Sequence, residues 1–438
     1  MAKKNISLKL PKKKIPPPQL LRGMKDIYDQ DQIWFQEIRK AVAVFARDFG
    51  FSRIDTPILE QHSLFVRAVG DQTDVVQKEM YAFVDQGGEH IAARPEATAS
   101  IVRAYLEHGM LSKPQPVKLY YEGPMFRHER PQLGRYRQFF QFGFEALGDQ
   151  HPVLDAEMIL LGERLLASLG LKVVLQINSI GDENCRPQYT HILKSYFRTN
   201  KARLCADCQK RLLKNPLRVL DCKEPSCVGI AKDAPQTIDH LCTACKDHFV
   251  QVLEYLDELQ IAYELNPRLV RGLDYYTKTV FEYWSDDERF RDKLALGGGG
   301  RYDRLAELLG GRTVPAVGMA PGFERIVLLL NELKTYEPKV YAPQVFVAPL
   351  GDQARKRALK VYDGLRAAGV RVAQNFSKDG LSSQLGMASK LQARFTLIIG
   401  QQEILDDTVM VRDMETSSQE VVDYGKIVGD IKKRLRKK

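Results

Sequence analysis

Leu119–Leu147, LYYEGPMFRHERPQLGRYRQFFQFGFEAL, is the stretch that decides the fold. It divides into two β-prone runs joined by a basic segment, and the second run alternates with the period of a strand. Phe140, Phe142 and Phe144 fall on one face, and Phe139, Gln141, Gly143 and Glu145 on the other. The first face is core. The second sets an amide and a carboxylate beside a glycine, where a small ligand can approach the backbone. The connecting loop, about His128 to Arg137, exceeds the roughly two to five residues a hairpin needs for turning. Arg130, Arg135 and Arg137 lie in it, and Arg127 ends the incoming strand. Planar, forked donors on an over-long loop suit phosphate or nucleic acid.

Outward from this hairpin the chain reads as alternating sheet and helix. Trp34 to Phe49 has helical spacing (Phe35, Ile38, Val42, Phe45) with Gly50 as its stop. FSRIDTPILE is a short β-prone run whose Pro57 cannot donate to a ladder, so it belongs at a sheet edge. MYAFVDQ is a further strand, and Pro95 sits at the start of a helix built on Ile101, Val102, Tyr105 and Leu106. Glu96 and Thr98 fall at that helix entrance, where they either complement the helix dipole or hold the polar end of a ligand. Asp155–Leu169 reads as a helix, and VVLQINSIG (173–181) as a strand. Residues 182–263 are helical, charged and hold all seven cysteines, as an insertion between two halves of one sheet. Strand-like composition returns in 267–284, followed by the glycine-rich ALGGGGRYDRLAELLG (295–310) and by VPAVGMAPGFERIVLLLNELK (314–334). After a linker at 335–342, strands alternate with helices over 343–438, as expected of a separate α/β domain.

A chain of 438 residues has room for two or three such domains. No apolar run reaches membrane-spanning length and no secretory h-region opens the sequence, so a cytoplasmic protein is expected. The net charge is +10, but six lysines among residues 1–18 and six cations after residue 431 exceed it, leaving a body of about −2. Residues 1–18, basic and then proline-rich, are expected to be a disordered tail. Any case for an anionic partner therefore rests on local patches.

An odd cysteine count fits a reducing compartment better than a disulfide framework. Cys205-x-x-Cys208 and Cys242-x-x-Cys245 offer four thiolates to one structural Zn2+, with Cys222 and Cys227 as alternates. The 33 residues between the pairs are long for one ribbon, and reduced thiols near helix ends are the favoured reading.

The glycines at 297–300 form neither a phosphate-binding P-loop nor a dinucleotide fingerprint. Inside a β segment they mark a floor on which a flat ligand lies against backbone. Arg325 heads the apolar helix that follows, and Arg271 lies in RGLDYYT beside two tyrosines. With Arg127, these are three fixed cations able to converge on one polyphosphate.

These stretches together resemble the class II aminoacyl-tRNA synthetases. GFSRIDTPILE (50–60), YYEGPMFRHERPQLGRYRQFFQFGFE (120–145) and VGMAPGFERI (317–326) are similar to that class's motifs one, two and three. LVRGLDYYTKTVFE (269–282) and EHIAARPEATA (89–99) resemble the signature and the histidine-binding entrance of the histidyl-tRNA synthetase family, and the match runs in order over residues 19–430. The resemblance implies an α+β catalytic domain at 19–334, an antiparallel sheet flanked by helices, with a carboxy-terminal α/β anticodon-binding domain. It implies a homodimer joined through motif one, with ATP and Mg2+, L-histidine and tRNA(His) as partners and no membrane. By the same resemblance Arg127, Arg271 and Arg325 are catalytic, and Arg127, Arg135, Phe139 and Arg325 bind ATP. Glu96, Ala97, Thr98, Arg127, Gln141, Glu145, Arg271, Tyr275 and Tyr276 bind histidine, and Arg130 and Gln132 bind tRNA. Leu133 departs from the pattern, standing where a basic residue is common. The alternative is a noncatalytic, histidine-sensing regulatory relative; such relatives lack the last domain and have degraded signatures, whereas RGLDYY and residues 343–438 are present.

Overall fold

The structure, a computed structural model, describes residues 17–71, 73–291, 293–334, 342–377 and 380–436. Residues 1–16 of the expected tail (1–18) and all but the last residue of the expected linker lie outside them. The chain forms two units, Met1–Pro338 and Lys339–Lys438.

The first unit carries strands Ser52–Arg53 (β1), Leu59–Gln61 (β2), Tyr81–Val84 (β3), His90–Ala93 (β4), Val117–Phe126 (β5), Gln138–Leu147 (β6), Val173–Ser179 (β7), Tyr263–Leu265 (β8), Thr277–Ser285 (β9), Ala295–Arg301 (β10) and Ala316–Met319 (β11). Its helices are Asp29–Asp48 (α1), His62–Val69 (α2), Thr98–Glu107 (α3), Val153–Ser168 (α4), Arg186–Thr199 (α5), Ala206–Lys214 (α6), Leu217–Leu220 (α7), Pro225–Lys232 (α8), Thr243–Glu258 (α9), Leu305–Leu308 (α10) and Phe323–Leu333 (α11). Eight strands form one sheet in the order β1-β5-β6-β11-β10-β9-β7-β8, and β2-β4-β3 form a small second sheet.

The hairpin is the spine of the large sheet: β5 and β6 pair from Val117–Leu147 to Phe126–Gln138 and leave 127–137 as the loop. The inner six strands are antiparallel, as expected. The two outermost are not: β1 runs parallel to β5 and β8 parallel to β7. A parallel pair requires a long crossover, and the insertion (α5 to α9) is the crossover that joins β7 to β8. Strand β1 is only two residues long, and Pro57, as expected, lies beyond it at the sheet edge.

Each face of the sheet buries a different set. Phe142 and Phe144 of β6 pack with Phe281, Tyr283, Val317 and Met319 against α1, α4, α9 and α11. Phe142 and Phe323 meet edge to face at 5.5 Å, and burying each such ring contributes about 1.5–3 kcal/mol. The opposite face, where a small ligand was expected to approach the backbone, is roofed by α2, α3 and the insertion, so Glu145 is only 1% exposed. Helix α4 begins two residues earlier than its apolar spacing predicts, at Val153. Its Asp155 is fully buried against Arg301 of β10, with His248 of α9 at 3.3 Å. Arginine–aspartate pairing holds Asp155 well below the usual carboxylate range. That triad ties the end of the insertion to the sheet.

The second unit has strands Val345–Pro349 (β12), Val372–Gln374 (β13), Phe395–Ile399 (β14), Thr408–Asp413 (β15) and Gln419–Asp423 (β16). They form one sheet, β13-β12-β14-β15-β16, parallel through β14 and antiparallel beyond it. Helices Asp352–Ala367 (α12) and Ile427–Arg436 (α15) pack on it through Ala358, Val361, Leu365, Ile427 and Ile431, and Leu381–Lys390 (α13) and Gln401–Leu405 (α14) complete the unit. Strand and helix alternate as expected as far as β15, and β16 then follows directly. Strand β16 lies at the sheet edge with mostly exposed side chains, so no buried stripe marks it.

Candidate active site

The pocket begins on the second face of β6. Glu145 accepts a hydrogen bond from Thr98 Oγ1 at 2.7 Å on one oxygen and a short one from the Tyr302 hydroxyl on the other. Burial pushes its carboxyl up to about 8, against which these two donors act. Glu96 accepts from the backbone N–H groups of Thr98 (2.6 Å) and Ala99 (3.0 Å), so it caps α3, and burial raises its carboxyl too. Of the two uses foreseen for Glu96, the helix-entrance one is thus met, and the Tyr275 hydroxyl also donates to it at 3.5 Å. Ala97, fully buried, is the residue from which α3 departs. Tyr275, Tyr276 and Tyr302 cluster with ring centroids 4.7–6.5 Å apart. Gln141 Nε2 reaches the Ala320 carbonyl at 3.5 Å, while its buried Oε1 has no protein partner.

Glycines make this arrangement possible. A Cβ on Gly318 of β11 would collide with the Glu145 carboxylate, and one on Gly143 would meet the Tyr121 ring. On β10 a Cβ at Gly298 would come 2.7 Å from Arg271 Nη1, and one at Gly300 2.9 Å from the Tyr276 ring. The glycine run is therefore a floor for protein groups that line the pocket.

Four arginines are coupled to these residues and to one another. Arg127 donates through Nε to the Pro95 carbonyl at 2.8 Å, and its guanidinium carbon stands 5.4 Å from the Phe139 ring centre. Arg271 pairs with Glu282 of β9 and lies 5.5 Å from the Tyr276 ring centre; its buried Nε has no hydrogen-bond partner. Arg325 donates to the Ala295 carbonyl at 2.7 Å. Its guanidinium is lowered to about 10 by burial, then by the charges of Arg135 and Arg127, with Glu129 and Glu282 opposing. Glu282 feels both Arg271 and Arg325. Arg127, Arg135, Arg271 and Arg325 thus share one electrostatic neighbourhood, held together by Glu129 and Glu282. Glu324 joins motif two to motif three: its carboxylate accepts from the Phe140 N–H at 2.9 and 3.0 Å. Burial pushes that carboxyl up to about 7.

Arg130 and Gln132 stand exposed on the hairpin loop. The loop tip closes through backbone hydrogen bonds between Gln132 and Arg135, and Leu133 is 70% exposed there. Sequence reasoning missed Tyr121, Tyr302, Glu282 and Glu324. Tyr121 was open to discovery, since the period of β5 sets it opposite Gly143; Tyr302 and Glu282 carry no local signal.

The cysteine reading needs correction. Cys205, Cys208, Cys242 and Cys245 do not form one quartet. Cys205 and Cys208 gather with Cys222 and Cys227, while Cys242 and Cys245 gather with Cys185 and Asp182. Spacing within each pair is local, but the folding of α5 to α9 decides which pair meets which residue.

Two family models match the chain. One, described as histidyl-tRNA synthetase, covers residues 23–181 and 217–326, and one for an anticodon binding domain covers 344–434. The histidine–tRNA ligase of Dehalococcoides mccartyi (strain ATCC BAA-2266 / KCTC 15142 / 195) is 43% identical over 94% of this chain and 99% of its own. That of Pelotomaculum thermopropionicum is 44% identical over 94% and 97%. The crystal structure of apo S. aureus histidyl-tRNA synthetase superposes with a TM-score of 0.79 at 36% identity, covering 95% of this chain and all of that one. With a catalytic and an anticodon-type unit both matched, the chain belongs to the histidyl-tRNA synthetase family.

Proposed function

We propose that this chain is a histidine–tRNA ligase in which the Glu145–Gln141–Glu96 pocket holds L-histidine beneath the arginine cluster that receives ATP. The single observation that carries the residue assignment is the buried Gln141 Oε1, which has no protein partner, on the strand that also carries the buried Glu145. Glu96, Thr98 and Gln141 accept from the α-amino group. Glu145 accepts from one imidazole nitrogen and the Tyr276 hydroxyl donates to the other. A carboxylate has about four acceptor sites, so the bonds from Thr98 and Tyr302 leave room for a ligand.

In the first step a histidine carboxylate oxygen attacks the α-phosphorus of ATP, a P–O bond to the pyrophosphate breaks, and histidyl-adenylate forms. The α-carboxylate is ionised at neutral pH, so no general base is needed. Rate comes from alignment and from neutralising charge on the phosphoryl oxygens. Arg127 contacts the α-phosphate and the carboxylate, Arg271 faces the same phosphate from the other side, and Arg325 with Arg135 holds the γ end. Phe139 stacks on adenine. Mg2+ would supply positive charge to the phosphates, and Glu129 and Glu282, the carboxylates that couple to Arg325, would be residues to hold it. In the second step a hydroxyl of the terminal adenosine of tRNA attacks the activated carbonyl and AMP leaves. Arg130 and Gln132 meet the tRNA acceptor end, and the second unit meets its anticodon.

The working form is a homodimer joined near motif one. Ile58, Leu59, Phe83 and Val84 support this, being 43–53% exposed on and around the small sheet. Among the described residues no helix is long and apolar enough to cross a membrane. Pyrophosphate exchange with each of the twenty amino acids tests the assignment: signal with histidine alone is expected, and histidine binding without exchange would refute it.

A further inference from the structure

The two cysteine clusters take no part in the chemistry above, yet both touch the loop that carries it. We propose that the insertion holds two structural Zn2+ sites, one on Cys205, Cys208, Cys222 and Cys227 and one on Asp182, Cys185, Cys242 and Cys245, which brace the Arg271–Tyr276 segment from two sides.

The donor geometry fits. In each cluster the four ligand atoms all lie within 4.8 Å of one another. A tetrahedral ion with Zn–S bonds of about 2.3 Å sets sulfur atoms about 3.8 Å apart, and sulfur about 3.6 Å from a carboxylate oxygen. Cys205 Sγ and Cys222 Sγ are 3.9 Å apart. Asp182 Oδ1 lies 3.6 Å from Cys185 Sγ and 3.9 Å from Cys242 Sγ. The same sulfur separation is far too long for a disulfide, and all seven cysteines are free. Four in one cluster and three plus a carboxylate in the other account for the odd total.

The surroundings are those of thiolate sites. Both C-x-x-C pairs repeat one local structure. Cys205 (φ −63°, ψ 159°) and Cys242 (φ −67°, ψ 161°) each cap a helix, with Cys208 and Cys245 in the first turn. Backbone N–H groups point at sulfur: Cys208 N at Cys205 Sγ (3.4 Å), Cys205 N at Cys227 Sγ (3.2 Å) and Asp182 N at Cys185 Sγ (3.4 Å). Asp182 is itself oriented by the Asn184 N–H at 3.0 Å, the outer support that metal ligands usually have. A divalent ion with four anionic donors leaves a net charge of −2, and each cluster has a cation at hand. Arg211 lies beside Cys208 and Cys222, and Arg186 beside Cys185 and Asp182. Thiolate-rich tetrahedral sites select Zn2+ over hard cations.

The bracing rests on the reading of Arg271 and Tyr276 given above. Between the Cys208 and Cys222 ligands, Arg218 donates to the Arg271 carbonyl at 3.0 Å and Asn215 to Asp274 at 3.0 Å. One residue after Cys185, Arg186 donates to the Tyr276 carbonyl at 2.6 Å. Each ion would thus fix one end of the six-residue segment that carries the phosphate-facing arginine and the imidazole-facing tyrosine.

The test is metal content of the full-length protein, purified without chelator and gel-filtered. About two equivalents of zinc per chain are expected, falling to about one in Cys222→Ser and in Cys245→Ser. Should either variant fail to fold, mercurial titration of the unaltered protein decides: thiol modification must release both ions. One equivalent or less, or seven thiols reacting without metal release in folded protein, overturns the assignment. The bracing has its own readout. Cys222→Ser should lower kcat for adenylate formation by about tenfold at little change in KM for histidine, and Cys245→Ser should chiefly raise that KM. Equal loss of both parameters in both variants overturns the bracing, whatever the metal count.

Discussion

The Tyr302 hydroxyl donates to Glu145 inside a pocket where that carboxylate is 1% exposed. A donor of this kind favours the ionised form, yet burial dominates and leaves the carboxyl at about 8. The empty pocket is therefore mostly protonated at neutral pH, while the bound imidazole N–H needs an ionised acceptor. Binding must expel that proton. Histidine affinity is expected to rise about tenfold per pH unit between roughly 6.5 and 8, and to steepen below, where free histidine's ring is charged. Titration calorimetry at pH 7 in buffers of different ionisation enthalpy should show close to one proton released. Binding without proton release would place the shared proton in the complex and contradict neutral-imidazole recognition.

The same shift has a stability consequence of opposite sign. The folded value lies above the ordinary 4.5, so the ligand-free fold binds more protons than the unfolded chain between about 4.5 and 8. It should lose stability as pH rises through that window. Glu145→Gln should flatten this dependence in melting curves taken from pH 5 to 8; an unchanged slope would assign it to other groups.

Arg271 pairs with Glu282 and keeps a buried Nε without a partner. In the function proposed above, a phosphate oxygen is the acceptor for that nitrogen. Arg271→Ala should leave ATP binding and dimerisation in place while slowing adenylate formation by orders of magnitude in single turnover. Near-normal turnover would remove Arg271 from the chemistry.

How much of this was legible beforehand follows from where each signal lives. The hairpin, α3, β7 and the motif-three helix declare themselves through local period, so the sheet and the carboxylate face of β6 could be read from 119–147. The small alternating domain was readable for the same reason, apart from its exposed edge strand. Tyr302 and Glu282 were hidden because they meet Glu145 and Arg271 only when β9, β10 and β6 come together in the sheet. The cysteine grouping was hidden likewise: C-x-x-C spacing names a pair, but only the packing of five helices chooses its partners. The cover over that face was hidden too, because it comes from α2, α3 and the insertion.

Asp155 and Arg301 form a fully buried ion pair with His248 beside it, across three elements distant in sequence. Removing Asp155 leaves the buried Arg301 with Asp303, at 3.2 Å, as its remaining carboxylate, and costs up to about 3–5 kcal/mol. Asp155→Asn should lower the denaturant midpoint accordingly, and His248→Ala should cost less, since the arginine keeps its carboxylate. Equal effects would mean that the histidine, and not the charge balance, holds α9 to α4.

Gly318 offers a sharper test of the pocket than any of its polar residues, because it touches no ligand. It pairs with Glu145 across β6 and β11, and a Cβ there would collide with the carboxylate and with the Phe144 carbonyl region behind it. Neither the strand nor the carboxylate can retreat far: Val317 and Met319 on either side are buried in the core, and Thr98 and Tyr302 hold Glu145 from the front. Gly318→Ala must therefore push the carboxylate into the space the imidazole occupies. KM for histidine should rise about a hundredfold, while KM for ATP, assigned above to arginines that do not touch Gly318, should move by no more than about twofold. The measurement is pyrophosphate exchange with each substrate varied in turn. Parallel changes in both constants would mean that the sheet itself had shifted; an unchanged histidine KM would mean that the side chain of histidine lies elsewhere than beside Glu145.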